Sequence, residues 1–373
     1  MEFLLDEEQR RLRDSVERFV RRAFDVRQRR DEAAHPAGFA PDRWRAMADL
    51  GWLAATIAEA DGGLGLGLRE RHIIMEGLGR GLALEPYTSN AVLAADLVGA
   101  LGSDAQRQDF LPRIADGSLR VAVALYEAGG RYAWSDARCR AQRVDGGYRI
   151  EGEKISVLDV ASADRILFLA REDDGDLSLF WIAVAADGLE RREFPTLDGR
   201  RCADLRLHGV RVPEAHRLGA GRDVEAALDL AIDRAAVATC AEAVGAMSGA
   251  LEATVDYLKT RRQFGQPLSS FQVLRHRVAD MVIATEQARS LVVRAATCLE
   301  ADPPLRRRMV SAAKVQAGTS GRFVGESAVQ LHGGMGMTEE HAVGHYLKRL
   351  MVTDMLFGDT AHHLERFAAL GSD

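Results

Sequence analysis

The sequence predicts a mainly α-helical protein with a β domain in its middle: an N-terminal helical domain (1–118), a small antiparallel β-barrel (119–222) and a C-terminal four-helix bundle (223–373). Three observations predict it. Apolar residues recur at helical spacing before residue 118. A central block then breaks into short strand-like runs, and a heptad-spaced apolar seam follows.

Composition bounds the function classes. At 373 residues the chain exceeds one ordinary core, so two or three packed units are expected. Hydrophobic residues make up 47% and charged residues 28%, a globular rather than a disordered balance. A net charge of −6 and a pI near 6.0 argue against nucleic acid as the main partner, which calls for a basic face. No apolar run approaches the roughly 20 residues that span a bilayer. The start, MEFLLDEEQRRLRD, lacks a basic stretch leading into an apolar core, so no secretory signal is expected and the protein reads as cytoplasmic. Cys139, Cys202, Cys240 and Cys298 lie far apart with no CxxC pair, which predicts reduced core thiols and no metal site.

The elements follow in order. Leu12, Val16, Phe19, Val20, Ala23 and Phe24 recur at helical spacing between charged residues. The loop EADGGLGLGLRE has the glycines of a dinucleotide fingerprint, but no strand precedes it and no βαβ unit surrounds it, so a tight turn is expected. RVAVALYE, ARCRAQRV, YRIEGEKISVL, RILFLARE, SLFWIAVA and ADLRLHGVRVP read as strands parted by DGG and DDGD turns. Their connections are too short for a parallel α/β sheet. Beyond Asp223, Val237, Val244, Leu251 and Leu258 repeat every seven residues, with Cys240 and Met247 on the alternate seam. Further helices are expected from about Phe271 to Leu299, Leu305 to Leu331 and His341 to Leu356, which together make a bundle.

Two segments carry chemistry. YLKTRRQFGQPLSSFQ, Tyr257 to Gln272, ends a long helix with basic residues and then turns through an aromatic, a glycine and a proline. Capping of the helix C-terminus accounts for Arg261 or Arg262 alone, whereas a planar arginine fork also suits phosphate oxygens. QLHGGMGMTEE, Gln330 to Glu340, places Gly333, Gly334 and Gly336 after a helix, where backbone N–H groups can approach a ligand closely. One glycine there would be an ordinary helix end; the string points to ligand binding.

R-x-x-F-G with F-Q downstream, then Q-x-x-G-G-x-G, resembles the signature of the acyl-CoA dehydrogenase family. The likeness extends through LGWLAATIAEADGGLGLG, ALYEAGGRYAWSD, GEKISVLDVASADRILFLAR and LRLHGVRVPEAHRLG, and is nearest to the small subunits of two-subunit enzymes such as pimeloyl-CoA dehydrogenase. The resemblance implies an FAD-binding oligomer that removes two hydrogens from the acyl chain of an acyl-CoA thioester. An acceptor such as an electron-transfer flavoprotein would take the electrons. It implies that Arg261 and Phe264 contact FAD, the arginine at the pyrophosphate, with Gln272 at the adenosine half. Gln330, Leu331, Gly333 and Gly334 would line the same nucleotide from a neighbouring subunit. Leu125, Tyr126, Glu127 and Ser156 to Leu158 would approach the flavin ring. In the family a carboxylate takes the α-proton while the flavin accepts the β-hydride.

The sequence departs from the family at the base. Where most members have Y-E-G-T, this chain has L-F-G-D-T from Leu356, with Phe357 at the glutamate position. The alternative position, on the helix before R-x-x-F-G, falls on Ala235; Asp233 is two residues off, about 200° around the helix. Asp359 and Glu242 are the remaining candidate bases, Glu242 because the apolar run TCAEAVGAM around it would raise its pKa. The flavin loop departs too: Tyr126 replaces threonine, Ala128 proline and Ser156 tryptophan. The missing carboxylate suits a small subunit whose partner chain supplies the base, both chains building the FAD site. The alternatives are a self-sufficient homotetramer with an unusual base, a flavin oxidase or monooxygenase, and a non-catalytic assembly subunit.

Overall fold

A computed structural model describes residues 5–219 and 223–370. In chain order the helices and strands are α1 (Glu7–Ala23), α2 (Arg29–Ala34), α3 (Pro41–Asp49), α4 (Leu68–Gly81), α5 (Ala95–Leu101), α6 (Asp104–Ala115), β1 (Val121–Ala124), β2 (Arg140–Val144), β3 (Gly147–Leu158), β4 (Arg165–Glu172), β5 (Leu177–Ala183), β6 (Leu189–Pro195), β7 (Arg201–Pro213), β8 (Arg217–Leu218), α7 (Val224–Thr260), β9 (Arg262–Gln263), β10 (Gln266–Pro267), α8 (Gln272–Thr297), α9 (Pro303–His332), α10 (Ala342–Met355) and α11 (Thr360–Ala369). Among the described residues no helix is long and apolar enough to cross a membrane. All four cysteines are buried and free.

Two compact units emerge from the packing. The first gathers the described residues of Met1–Arg30, Leu68–Ala83 and Asp233–Asp373. Its helices start where their sequences cap them. Asp6 and Gln9 form a capping box on α1, and Glu7, Glu8, Arg21 and Arg22 complement its dipole. Pro303 opens α9 at a position where a missing N–H costs nothing. Helix α9 packs against α8, α10 and α11. The heptad seam of α7 is core at Val237, Cys240, Val244, Met247 and Leu258, all buried, whereas Leu251 is half-buried. Helices α4 and α7 cross through glycine. A Cβ on Gly245 would stand 1.8 Å from the Glu76 carbonyl oxygen, and one on Gly79 would stand 1.9 Å from that of Glu242.

The second unit, Asp31–Gly67 with Leu84–Ile232, holds the main sheet. Its strand order is β6-β7-β3-β2-β4-β5-β8, with β1 paired to β4 off that path. The expectation of a purely antiparallel barrel needs correction, because the sheet is mixed. Both β1 and β2 run parallel to β4, in registers Val121↔Arg165 and Arg140↔Arg171. The parallel partners are not consecutive strands; the β2–β3 hairpin lies between β1 and β4 in the chain and supplies the length a crossover needs. Strand β6, not foreseen from the sequence, is LERREFP, charged and largely exposed, as suits an edge strand. Helix α11 was likewise not foreseen, nor was the π-helical turn Thr88–Ala94.

Candidate functional site

The end of α7 builds the first candidate segment. Arg261 N–H donates to the Tyr257 carbonyl, and Leu268 N–H donates back to the Arg261 carbonyl, both at 2.8 Å. Between them β9 and β10 pair as a two-residue hairpin, Gln263 opposite Gln266. Phe264 and Gly265 turn the corner with φ of 51° and 79°. Two successive positive φ values make a type I′ turn, which glycine accommodates freely and phenylalanine does not. The Phe264 side chain is 89% exposed at this tip and meets Phe271 edge-on at 6.1 Å. Phe271 is the N-cap of α8 and Gln272 its first residue, and both Arg261 and Gln272 are exposed.

The glycine string begins where α9 ends. Gly333 has φ 60° and ψ −140°, outside the ordinary range of other residues. A Cβ on Gly333 or Gly334 would meet nothing within 4 Å, whereas one on Gly336 would stand 2.8 Å from the Val329 carbonyl oxygen. Packing therefore requires glycine at Gly336 but not at Gly334, where the bare backbone faces open space. Gln330 is exposed and Leu331 buried. The two segments share a root. Tyr257 stacks on His332 with centroids 4.3 Å apart, and its hydroxyl donates to the His332 carbonyl at 3.4 Å. His341 packs against both rings. One knot of three aromatic rings thus fixes where both segments leave their helices.

In the sheet-bearing unit, the loop Leu125–Glu127 is held by Lys154. This lysine is fully buried and donates to the Leu125 carbonyl at 3.0 Å and to Glu127 Oε1 at 2.7 Å. Glu127 also accepts from the N–H groups of Arg138 (2.8 Å) and Cys139 (3.1 Å). Burial works to raise the Glu127 pKa, but Lys154 and the Arg138 and Cys139 groups outweigh it and hold the carboxyl below its usual range. Glu127 is thus a clamp on its own loop. Ile155 N–H donates to the Tyr126 carbonyl at 2.9 Å, tying the loop to β3. Ser156 sits at φ 53°, exposed, with its N–H on Asp204 Oδ1 at 3.1 Å. Leu158 is half-buried at the end of β3. The lysine clamp was not foreseen as functional, although G-x-K in GEKISVL was the signal for it.

The base positions are apolar. Ala235 is fully buried, and Phe357 is 9% exposed with φ 58°. Around Phe357 the chain is tightly held. Lys314, buried, donates to the carbonyls of Thr353 (2.9 Å), Asp354 (2.9 Å) and Leu356 (2.8 Å), closing the C-terminus of α10. His363 bonds the Phe357 carbonyl at 3.0 Å and Ser311 Oγ at 3.2 Å. Burial, with Lys314 nearby, pushes the His363 pKa down to about 3. Asp359 caps α11, accepting from His362 N–H at 2.8 Å. Glu242 is 2% exposed and ion-paired with buried Arg349, and Asp233 is shared by Arg306 (2.9 Å) and Arg366 (2.8 Å). Each candidate carboxylate thus has a structural engagement. Lys314, a residue the sequence reading passed over, organises the loop where the base would stand.

The profile of the acyl-CoA dehydrogenase N-terminal domain matches residues 6–118, and that of the C-terminal domain matches residues 222–370. The chain is 28% identical to acyl-CoA dehydrogenase FadE27 of Mycobacterium tuberculosis, over 88% of this chain and 87% of that one. It superposes on a solved structure of a variant of the Tcur3481-Tcur3483 steroid ACAD with TM-score 0.87 and 30% identity, covering 98% of each chain. It also superposes on the ChsE4-ChsE5 complex of M. tuberculosis with TM-score 0.88 and 27% identity, covering 99% of this chain and 98% of that one.

Proposed function

Because the chain belongs to the acyl-CoA dehydrogenase family, whose members are FAD flavoproteins, we propose that it is the base-lacking small subunit of a heteromeric acyl-CoA dehydrogenase. One observation carries the reading: both positions where a family carboxylate would remove the α-proton hold buried apolar residues, Phe357 and Ala235. Glu242 and Asp359, the substitutes the sequence offers nearby, are engaged by Arg349 and by the start of α11. A second subunit of the same fold would then supply the base.

The chain's own residues fit an FAD. Arg261 would take the pyrophosphate through its planar fork. Phe264, exposed at a strained tip, would cover apolar surface of the cofactor, and Gln272 would meet the adenosine half. Gln330 and Leu331, with the open backbone at Gly333 and Gly334, would line the nucleotide from a neighbouring subunit. The clamped loop Leu125, Tyr126 and Glu127, together with Ser156 and Leu158, would border the ring. When bound, FAD supplies the hydride acceptor of the family reaction. What this chain does is orient the cofactor, exclude water with apolar surface, and leave proton removal to its partner. Serine at the position of the family's tryptophan removes aromatic cover from that border. The three-part organisation 1–118, 119–222 and 223–373 belongs to the same reading, as does an electron-transfer flavoprotein for the acceptor.

Co-expression with the neighbouring gene product and purification by a tag on one chain tests this. The expected result is a yellow complex that oxidises acyl-CoA with an artificial acceptor, while the isolated chain does not. Robust turnover by the isolated chain would refute the base-lacking role. A colourless complex would leave only an assembly subunit.

A further inference from the structure

The sheet-bearing unit contains a buried polar cluster that the reading above does not use. Thr88–Ala94 forms a π-helical turn, a conformation rare in proteins and frequent at functional sites, and all seven of its residues are buried. Three of them are polar: Thr88, Ser89 and Asn90, at 3%, 6% and 0% exposure. Ser89 Oγ donates to Asp159, which sits in the left-handed region with φ 61°. Arg200, 1% exposed, donates to the same Asp159 oxygen through Nη2 at 2.7 Å. Its Nε–H and Nη1–H groups have no partner among the described residues, nor does Asn90 Nδ2. The orientation of the Asn90 amide is settled by Val121 N–H donating to its Oδ1 at 2.9 Å, so it is the NH₂ end that is free.

Buried donors without acceptors are costly, most of all on a charged group. Buried donors of this kind are taken up by water or by a group of a bound ligand. The occupant's chemistry follows from charge. Asp159 already matches the Arg200 cation, and buried Asp198 accepts from the Arg200 backbone N–H at 3.4 Å. Adding an anion would put a second negative group beside Asp159 on one guanidinium in a low-dielectric interior. A neutral acceptor takes the open donors without that penalty. Position follows from the chain. Asp159 is the residue after Leu158, its N–H donates to the Arg201 carbonyl at 2.8 Å, and Leu158 pairs with Cys202 across β3 and β7. The cluster therefore adjoins the strand end assigned above to the flavin ring.

We propose that Arg200 is a specificity-determining residue that receives a neutral oxygen, a ketone or a hydroxyl, carried by the acyl group beyond its reacting carbons. The inference rests on the acyl-CoA reading of the site and deepens it. It excludes a distal carboxylate as the preferred group.

The test measures binding of three unreactive CoA thioether analogues of equal chain length to the purified holo-complex by calorimetry: plain alkyl, keto and ω-carboxy. The keto analogue is expected to bind about ten- to a hundredfold tighter than the alkyl one, the range of a charge-assisted hydrogen bond. Arg200→Lys keeps a cation beside Asp159 but removes the fork, and should bring that ratio close to one. Ser89→Ala, which frees Asp159 to shift, should lower the ratio less and serves if the lysine variant folds poorly. A ¹³C-labelled ketone should show its carbonyl infrared band at lower wavenumber when bound to wild type, and less displaced with Arg200→Lys. Equal binding of keto and alkyl analogues, preference for the ω-carboxy analogue, or an undisplaced band would overturn the assignment to Arg200 while leaving the dehydrogenase reading intact. Failure of all three analogues to bind would remove that reading, and this inference with it.

Discussion

Lowering the pH should destabilise the helical unit through His363 by an amount the structure sets. This ring is 1% exposed, bonded to Ser311 and to the Phe357 carbonyl, with Lys314 and Arg366 as cationic neighbours. Its ordinary value of 6.5 falls to about 3 in the fold, because burial and then Lys314 disfavour the imidazolium. Only the unfolded chain therefore takes up this proton as the pH drops below 6.5, so stability is complete above that value and is lost toward 3. Between about pH 7.5 and about pH 5.0 the linkage relation gives a loss of about 2 kcal/mol from this one group. His72, His332 and His341 are shifted in the same direction, so the quantity to measure is a difference of differences. Urea unfolding of wild type and His363→Gln at both pH values supplies it. The variant should be less stable at the higher pH, having lost a fitted ring, yet should lose about 2 kcal/mol less on acidification. The ring's Cε1–H resonance should stay at its neutral position through about pH 5. An equal acid loss in both proteins, or a resonance titrating at the ordinary histidine value, would refute the argument.

Three further outcomes follow from named contacts. Glu242→Ala should cost about 3–5 kcal/mol, since it breaks a buried ion pair by removing the carboxylate from Arg349; a stable variant that had lost α-proton exchange in acyl-CoA would instead identify Glu242 as a base. Asp359→Ala should cost about 1 kcal/mol by uncapping α11, read as a lower urea midpoint with unchanged cofactor content. Burial raises the thiol pKa of Cys139 and Cys202 to about 12 and of Cys240 to about 11, and Cys298 is equally enclosed. Ellman's reagent at about pH 8 should therefore titrate no thiol in the native protein and all four in urea.

How much of this was legible in the sequence depends on whether the signal was local. The heptad seam of α7 announced itself because each buried residue repeats at a fixed spacing, and Phe264–Gly265 announced a turn because few residues accept positive φ. The mixed sheet was hidden because parallel partners lie far apart in the chain, and β6 because an exposed charged edge has no apolar alternation. Site residues divide the same way. Glycines and arginines in a motif can be read one by one. The Lys154 clamp and the Lys314 cap exist only through oxygens contributed by other segments, so no pattern in their own neighbourhood reveals them. The polarity of Thr88, Ser89 and Asn90 was visible, but their burial was not.

The loop from Leu356 to Thr360 is held by its backbone rather than by the side chain at its centre. Lys314, His363 and the Asp359 cap fix its backbone, and Phe357 holds the left-handed conformation there, a cost to a bulky residue that the surroundings must sustain. None of these three devices touches the Phe357 side chain's chemistry, so the scaffold is separable from the group it presents. If a carboxylate is the only missing part, Phe357→Glu should restore proton removal by itself. Exchange of the acyl-CoA α-hydrogen with D₂O isolates that step, because it needs no electron transfer. The variant should raise the exchange rate over wild type by about 10²–10⁴-fold, the range of a positioned general base. The rate should rise with pH to a midpoint above the usual glutamate value, because a side chain placed where Phe357 is 9% exposed loses hydration in its charged form. Phe357→Gln, equally polar but not basic, should stay at the wild-type rate. If both variants fold and neither accelerates exchange, then the loop does not face the acyl chain, and the absence of a carboxylate at Phe357 says nothing about which subunit performs the chemistry.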